Sequence, residues 1–242
     1  MQTLQAPKLH RCEIAEGSFS LLEEGMRREE SVVFLHGLGE NRTGVNYLFR
    51  DLSRALQNSY TVYRFDLAGC GDSTLTLSMP LWEKQIETLQ KKHLGAYRKT
   101  HWISRGLSAC LLPEDGIAIA PPIPGFILET LPKIPLEPGQ KNWTPLGGSR
   151  TLSPSEEAFW HLLGVEAGCL GGFSADRRFI ESLSERTLST RSRRILYSKN
   201  GWPFSLPADV KAIDAAHSLF LFEQDRKNLS KTLHEMLNGK DP

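Results

Sequence analysis

The chain has 242 residues, a formal net charge of +1 and 24% charged residues. Because 29 basic and 28 acidic side chains nearly cancel, the composition argues against a general binder of nucleic acid or anionic membranes, which needs a basic excess. No apolar run approaches the roughly 20 residues of a membrane-spanning helix, and 40% apolar residues are typical of a globular protein.

The amino terminus and the cysteines predict a cytoplasmic protein. The first residues hold no apolar stretch followed by a small-residue cleavage site, so no signal peptide is predicted. Cys12, Cys70, Cys110 and Cys169 lie far apart in the sequence and predict reduced thiols. Since they form no cluster with histidine at metal-ligand spacing, we predict neither a metal nor a cofactor.

Strands and helices alternate along the first half of the chain. Residues 9–24 are typical of an antiparallel hairpin at one edge of a sheet. Apolar, β-branched and aromatic runs predict strands at residues 31–36, 60–65, 100–103 and 117–120. Apolar residues at helical spacing predict helices at residues 45–57 and 81–97.

A proline-rich excursion interrupts this alternation. Eight of the 14 prolines lie between Pro113 and Pro145, which excludes a long helix or a central strand there. Further strands are predicted at residues 194–197 and 210–213, and a closing amphipathic helix at residues 219–237. The alternation predicts the α/β class, with a mostly parallel sheet and helices on both faces. Ligands of such sheets bind beyond the carboxyl ends of the strands.

Two of the predicted strands end in glycine turns. His36-Gly37-Leu38-Gly39 follows the first, and the backbone N–H of Leu38 is well placed to bind a developing oxyanion, although an ordinary turn also explains these glycines. The next strand ends in Asp66, Gly69, Gly71 and Asp72. That pattern is typical of a structural turn in which carboxylates hold backbone amides.

A serine follows the strand predicted at residues 100–103. Ser104-Arg105-Gly106, before a predicted helical run, fits a nucleophile elbow, with the N–H of Arg105 as an oxyanion donor. Trp102 stands where the motif GxSxG has its first glycine. A second register uses Ser108, but it leaves only four residues before Pro113 for the supporting helix. We therefore prefer Ser104.

A histidine stands directly after the last predicted strand. His217, in Ala215-Ala216-His217-Ser218, occupies the position of a general base, because parallel strand ends converge at one edge of the sheet. Surface or packing roles fit five of the other histidines, His10, His93, His101, His161 and His234.

Four segments in chain order resemble the α/β-hydrolase superfamily: VVFLHGLG, YRFDLAGCGDS, WISRGLSA and AIDAAHSLF. The resemblance covers most of residues 31–122 and 193–237. It implies that Ser104 is the nucleophile and His217 the terminal base. It also implies that the backbone amides of Leu38 and Arg105 are the oxyanion donors. The implied substrate site consists of His36, Gly37 and Trp102.

The acid that usually supports the histidine in this superfamily is not obvious. Asn200 stands where aspartate is expected, and asparagine cannot stabilise an imidazolium by charge. Asp214 is the substitute that we take for the site, while Asp209 and Asp176 are further carboxylates. The departure leaves open a dyad, a relocated acid or the loss of hydrolytic activity.

The resemblance also divides the chain. Residues 1–123 and 194–242 form the predicted core, and residues 124–193 form a predicted lid over the site. Apolar lid residues could line an acyl-binding pocket or pack the lid on the body. A basic run over Arg177–Arg194 could meet an anionic group, such as the phosphopantetheine of a carrier, or form a solvated helix face.

These features support three hypotheses of different classes. The first is a serine hydrolase that cleaves an ester or thioester of a small to medium acyl group, free or carrier-bound, or an acyltransferase that uses the same site. The second is a catalytically silent hydrolase fold that acts as a binding or partner module, as Trp102 and Asn200 suggest. The third is a dinucleotide binder, but Arg42 stands where GxGxxG needs its third glycine.

Overall fold

The computed structural model describes residues 6–119, 165–166, 169–170, 194–198, 211–215, 220 and 222–239. The predicted lid at residues 124–193 therefore lies almost entirely outside the described residues, except for two short strands.

Among the described residues, eight strands form one sheet, in the order β1-β2-β4-β3-β5-β6-β9-β10. Apart from the pairs β1–β2 and β2–β4, all neighbours run parallel. A separate antiparallel pair lies within the predicted lid. The strands are β1 Lys8–Ile14, β2 Gly17–Glu24, β3 Glu30–Leu35, β4 Thr61–Phe65, β5 Lys99–Arg105, β6 Ile117–Ile119, β7 Val165–Glu166, β8 Cys169–Leu170, β9 Arg194–Ser198 and β10 Lys211–Ile213.

Three α-helices are described: α1 Leu48–Leu56, α2 Met79–Leu89 and α3 Glu223–Leu237. A 3₁₀ turn at Val45–Tyr47 precedes α1, a π turn at Gln90–Leu94 extends α2, and a 3₁₀ turn at Gly106–Leu111 follows β5.

The helices that connect β3, β4 and β5 cover opposite faces of the sheet. In the sheet, β4 and β5 lie on opposite sides of β3. The connection from β3 to β4 therefore runs in one direction across the sheet, and the connection from β4 to β5 runs in the opposite direction. Since parallel crossovers are right-handed, α1 and α2 must lie on different faces. Apolar side chains form the core: the rings of Phe34 in β3 and Phe49 in α1 lie 4.7 Å apart, and those of Phe19 in β2 and Phe65 in β4 lie 5.4 Å apart.

The structure confirms the predicted α/β class and the mostly parallel sheet. The hairpin predicted at residues 9–24 is formed by β1 and β2. The helix predicted at residues 81–97 instead has its α-helical part at Met79–Leu89, and the one predicted at residues 219–237 begins at Glu223. The largest local difference concerns β5, which continues to Arg105, two residues beyond its predicted end.

Candidate functional site

His36 joins the carboxyl ends of two neighbouring strands. Its side chain is fully buried, and Nε2 accepts a hydrogen bond from the N–H of Leu67 at 2.9 Å. The proton must therefore lie on Nδ1, which donates to the Gly37 carbonyl at 2.7 Å. Burial lowers the pKa of His36 and keeps the imidazole neutral. Both ring nitrogens hydrogen-bond to the backbone, so His36 joins the two strand ends, and the part in substrate binding that the sequence suggested stays a prediction.

The carboxylate of Asp66 organises the loop after β4. It is fully buried and accepts hydrogen bonds from the backbone N–H groups of Arg42 and Asp72, at 2.6 and 2.9 Å, and from the Arg42 guanidinium. A Cβ on Gly71, where φ is +53°, would lie 2.3 Å from Asp66 Cγ. The turn is therefore structural, as the sequence predicts.

A buried ion pair lies beside the turn after β3. The guanidinium of Arg105, at the end of β5, contacts the carboxylate of Glu40 through Nη1. The side chains are 1% and 9% exposed. Glu40 Oε2 also accepts from the N–H groups of Gly37 and Val45, at 3.2 and 3.3 Å. The pair thus connects the ends of β3 and β5.

The sharp turn between β5 and the following 3₁₀ turn is centred on Gly106. Gly106 has φ +59°, whereas Arg105 before it is extended, with φ −128° and ψ 141°. Ser104 lies inside the strand, where it pairs with Leu35 of β3 and Ala118 of β6. The predicted elbow is therefore displaced by two residues, because hydrogen bonding to strands on both sides extends β5 to Arg105.

Two serines flank Gly106 at equal distances along the chain. Ser104 is fully buried, and its Oγ has no hydrogen-bond partner among the described residues. Ser108 is also fully buried, and its Oγ contacts the carbonyls of Leu35 and Arg105 at 2.9 and 3.0 Å. Neither hydroxyl stands on the turn. Ser104, Gly106 and Ser108 have the spacing of the two glycines and the central serine in GxSxG. Gly106 occupies the position of the nucleophile in that motif.

The remaining predicted substrate and oxyanion residues lie on β5 or in the turn after β3. Leu38 is buried in the turn after β3. Arg105 belongs to the ladder of β5, and in an elbow centred on Gly106 the amide after the turn residue is that of Leu107. A Cβ on Gly37 would lie 2.8 Å from Glu40 Oε1, so a larger residue there would require the Glu40 side chain to shift. Trp102 is 6% exposed and packs in the core.

The predicted base His217 lies outside the described residues, and so do Asn200, which stands at the expected acid position, and the further carboxylates Asp209 and Asp176. Asp214 is exposed, and its carbonyl accepts a hydrogen bond from the side-chain amide of Asn228 at 2.7 Å. The roles of His217 and Asp214 therefore stay predictions.

The part of the chain that the structure describes contains no group of three or more His, Cys, Asp or Glu side chains that could hold a metal ion. It has no helix long and apolar enough to cross a membrane. A cavity of about 720 Å³ lies between α1 and α3, but its charged lining already forms ion pairs, such as Arg226 with Asp51 and Lys227 with Glu223.

Comparison with known proteins shows which fold this arrangement of strands and helices has. No family model and no curated protein matches the chain. Among solved structures, the alpha/beta hydrolase domain-containing protein 10 from mouse is similar, with a TM-score of 0.64, 15% identity and coverage of 96% of this chain and 99% of that one. The chain has the α/β-hydrolase fold.

Two esterases share the hydrolase fold over similar lengths. A carboxylesterase from Bacillus subtilis has a TM-score of 0.58 and 13% identity, over 97% of this chain and 93% of its own. A thermophilic esterase from Thermogutta terrifontis has a TM-score of 0.57 and 15% identity, over 98% of this chain and 100% of its own. The structural neighbours are thus hydrolases and esterases, while the fold alone does not assign a reaction.

Sequence reasoning missed two residues at this end of the sheet. Glu40, the partner of Arg105, has no motif that marks it, since the pairing depends on how two separate loops meet. Gly106 could have been found, because small residues two positions before and after it, Ser104 and Ser108, repeat the spacing of an elbow.

Proposed function

We propose that this protein binds a small molecule at the carboxyl ends of β3 and β5 without forming a serine acyl-enzyme, as a binding module on the hydrolase fold. Gly106 carries the proposal. A nucleophile elbow exposes its hydroxyl because the serine itself occupies the strained turn between strand and helix. Here that conformation belongs to glycine, which has no side chain.

The position of Ser104 supports the same conclusion. Attack on an ester requires the carbonyl carbon to come within about 3.5 Å of the nucleophilic oxygen. Ser104 has no exposed surface, and hydrogen-bonded strands lie on both sides of it. Its hydroxyl is therefore not presented to a substrate on a turn, as the hydroxyl of a nucleophile elbow is.

A second candidate is a serine hydrolase of an ester or thioester, or an acyltransferase. The Ser104 hydroxyl favours it, because this buried group has no hydrogen-bond partner among the described residues and is therefore not committed to a structural bond. In this mechanism His217 takes the proton of Ser104, Asp214 supports the imidazole, and the amides of Leu38 and Arg105 hold the oxyanion. The Ser104 oxygen bonds to the carbonyl carbon, and the alcohol or thiol leaves with the proton from His217. The acyl group then passes from Ser104 to water or another acceptor, and the substrate is free or carrier-bound.

A fluorophosphonate probe separates the two candidates. For the binding module we expect no covalent adduct on native protein, measured by intact mass, under conditions that label a carboxylesterase completely. Ser104→Ala should give the same result as the unmodified chain. A stoichiometric adduct that peptide mass spectrometry places on Ser104, and that Ser104→Ala removes while Ser108→Ala keeps it, would establish the hydrolase instead.

A further inference from the structure

Arg105 is a buried cation, and the nitrogens that carry three of its five N–H donors have no hydrogen-bond partner among the described residues. Its side chain is 1% exposed, and Nη1 pairs with Glu40. Nε and Nη2 are buried and have no hydrogen-bond partner among the described residues. Buried donors without an acceptor are costly, and charged ones especially so. This cost calls for an explanation beyond the stability of the fold.

The unused donors lie on one edge of the guanidinium. The N–H of Nε and one N–H of Nη2 run parallel in the plane of the group, while Nη1 points to Glu40. Two parallel N–H groups match the two oxygens of a carboxylate, which they bind in a bidentate manner. The free edge of Arg105 therefore has the geometry of an anion-binding fork.

The guanidinium lies where ligands bind in this class of sheet. A Cβ placed on Gly37 would come within 3.4 Å of Arg105 Nη1. The cation is therefore beside the turn that follows β3 and at the carboxyl end of β5, and ligands of open α/β sheets bind outside such strand ends.

We propose that Arg105 binds the carboxylate group of a small-molecule ligand through Nε and Nη2. This inference rests on the proposed ligand site at the ends of β3 and β5, and it names the chemical class that the site accepts. It holds whether or not Ser104 reacts, since Arg105 makes the same contact in either case.

The charges around Arg105 favour a monoanion. Glu40 already compensates one side of the guanidinium, and the neighbouring loop holds Asp66 and Asp72 against Arg42. The two oxygens of a carboxylate accept one hydrogen bond each from Nε and Nη2. A phosphate dianion would bring a second charge and a third oxygen, for which the described residues around Arg105 supply no further free cation.

The experiment measures binding of sodium butyrate by titration calorimetry and by the change in Tm at constant ionic strength. Methyl butyrate is the neutral matched compound, and sodium chloride and inorganic phosphate are the anion controls. We expect butyrate to bind and to raise Tm more than any of the three. Arg105→Lys keeps the charge beside Glu40 but lacks the fork, so it should weaken butyrate binding by about tenfold or more.

Arg64→Lys is the control variant, because Arg64 is also a deeply buried arginine with a carboxylate partner, Glu24. It should leave the butyrate effect unchanged. The proposal is overturned if butyrate does no more than chloride or methyl butyrate, if phosphate binds more tightly than butyrate, or if folded Arg105→Lys binds butyrate as the unmodified chain does. Fluorophosphonate labelling of Ser104 would refute the silent module without affecting this result.

Discussion

At the scale of single residues, burial determines what His36 can do. The fully buried ring accepts one backbone hydrogen bond and donates another, so a second proton would break the bond from Leu67 and place a charge in the core. Burial lowers the pKa of His36 for this reason. The native state therefore binds fewer protons than the unfolded chain at mildly acidic pH.

We expect the free energy of unfolding to fall as the pH falls below about 6.5, the unperturbed histidine value. A base with a lowered native pKa stabilises the fold above its unfolded pKa, and this contribution is lost on acidification. His93 and His101 contribute in the same direction, since burial also lowers their pKa. Urea unfolding at several pH values measures the slope.

His36→Gln should reduce this slope without abolishing it, because the glutamine carbonyl can accept from Leu67 but does not titrate. The matched control is His234→Gln, on the exposed side of α3, which should leave the slope unchanged. Equal slopes in all three proteins would refute the role given to His36.

The turn after β5 is the decisive element of the candidate site. The sequence predicts a strand, a turn and a helical segment there, and all three exist. The turn is displaced from Ser104 to Gly106 because pairing with both β3 and β6 extends the strand through a serine and an arginine. The residues that favour a strand by their own propensity end at Trp102-Ile103. The pairing with neighbouring strands decides where the strand stops, and a single sequence does not show that pairing.

Gly106→Ala should lower the free energy of unfolding by about 1–2 kcal/mol, because alanine is strained at φ +59°. Gly95→Ala is the matched control. Gly95 has φ −61° and ψ −15°, and an added Cβ would meet nothing within 4 Å, so this change should be neutral or stabilise by a few tenths of a kcal/mol. Urea unfolding measures both. A neutral Gly106→Ala would contradict the assigned turn.

At the scale of the whole molecule, a buried ion pair connects the antiparallel hairpin of β1 and β2 to the parallel part of the sheet. Arg64 of β4 donates through Nε to Glu24 of β2 at 2.6 Å, and through Nη1 to the Arg42 carbonyl at 2.8 Å. The alternation of strands and helices predicted the body, and the hairpin was predicted at an edge. Its attachment to β4 was not predicted, because that contact depends on the order of strands in space.

Arg64→Met should cost about 3–5 kcal/mol in the free energy of unfolding, because it leaves the Glu24 carboxylate buried without its partner. The double variant Arg64→Met, Glu24→Met should recover most of this loss, since no uncompensated charge remains. Arg11→Ala, in the exposed pair with Glu13, should change little. Additive losses in the double variant would show that the two side chains do not act as a pair.

The sheet also has a consequence for synthesis on the ribosome. Ile117 in β6 pairs with Arg194 in β9, 77 positions later. When β6 has emerged, the strand that covers its outer edge has not yet been translated, and at about 5–20 residues per second the wait lasts several seconds. During this time a chaperone can reach the edge. Because β6 is three residues long, it offers a nascent neighbour little backbone to pair with.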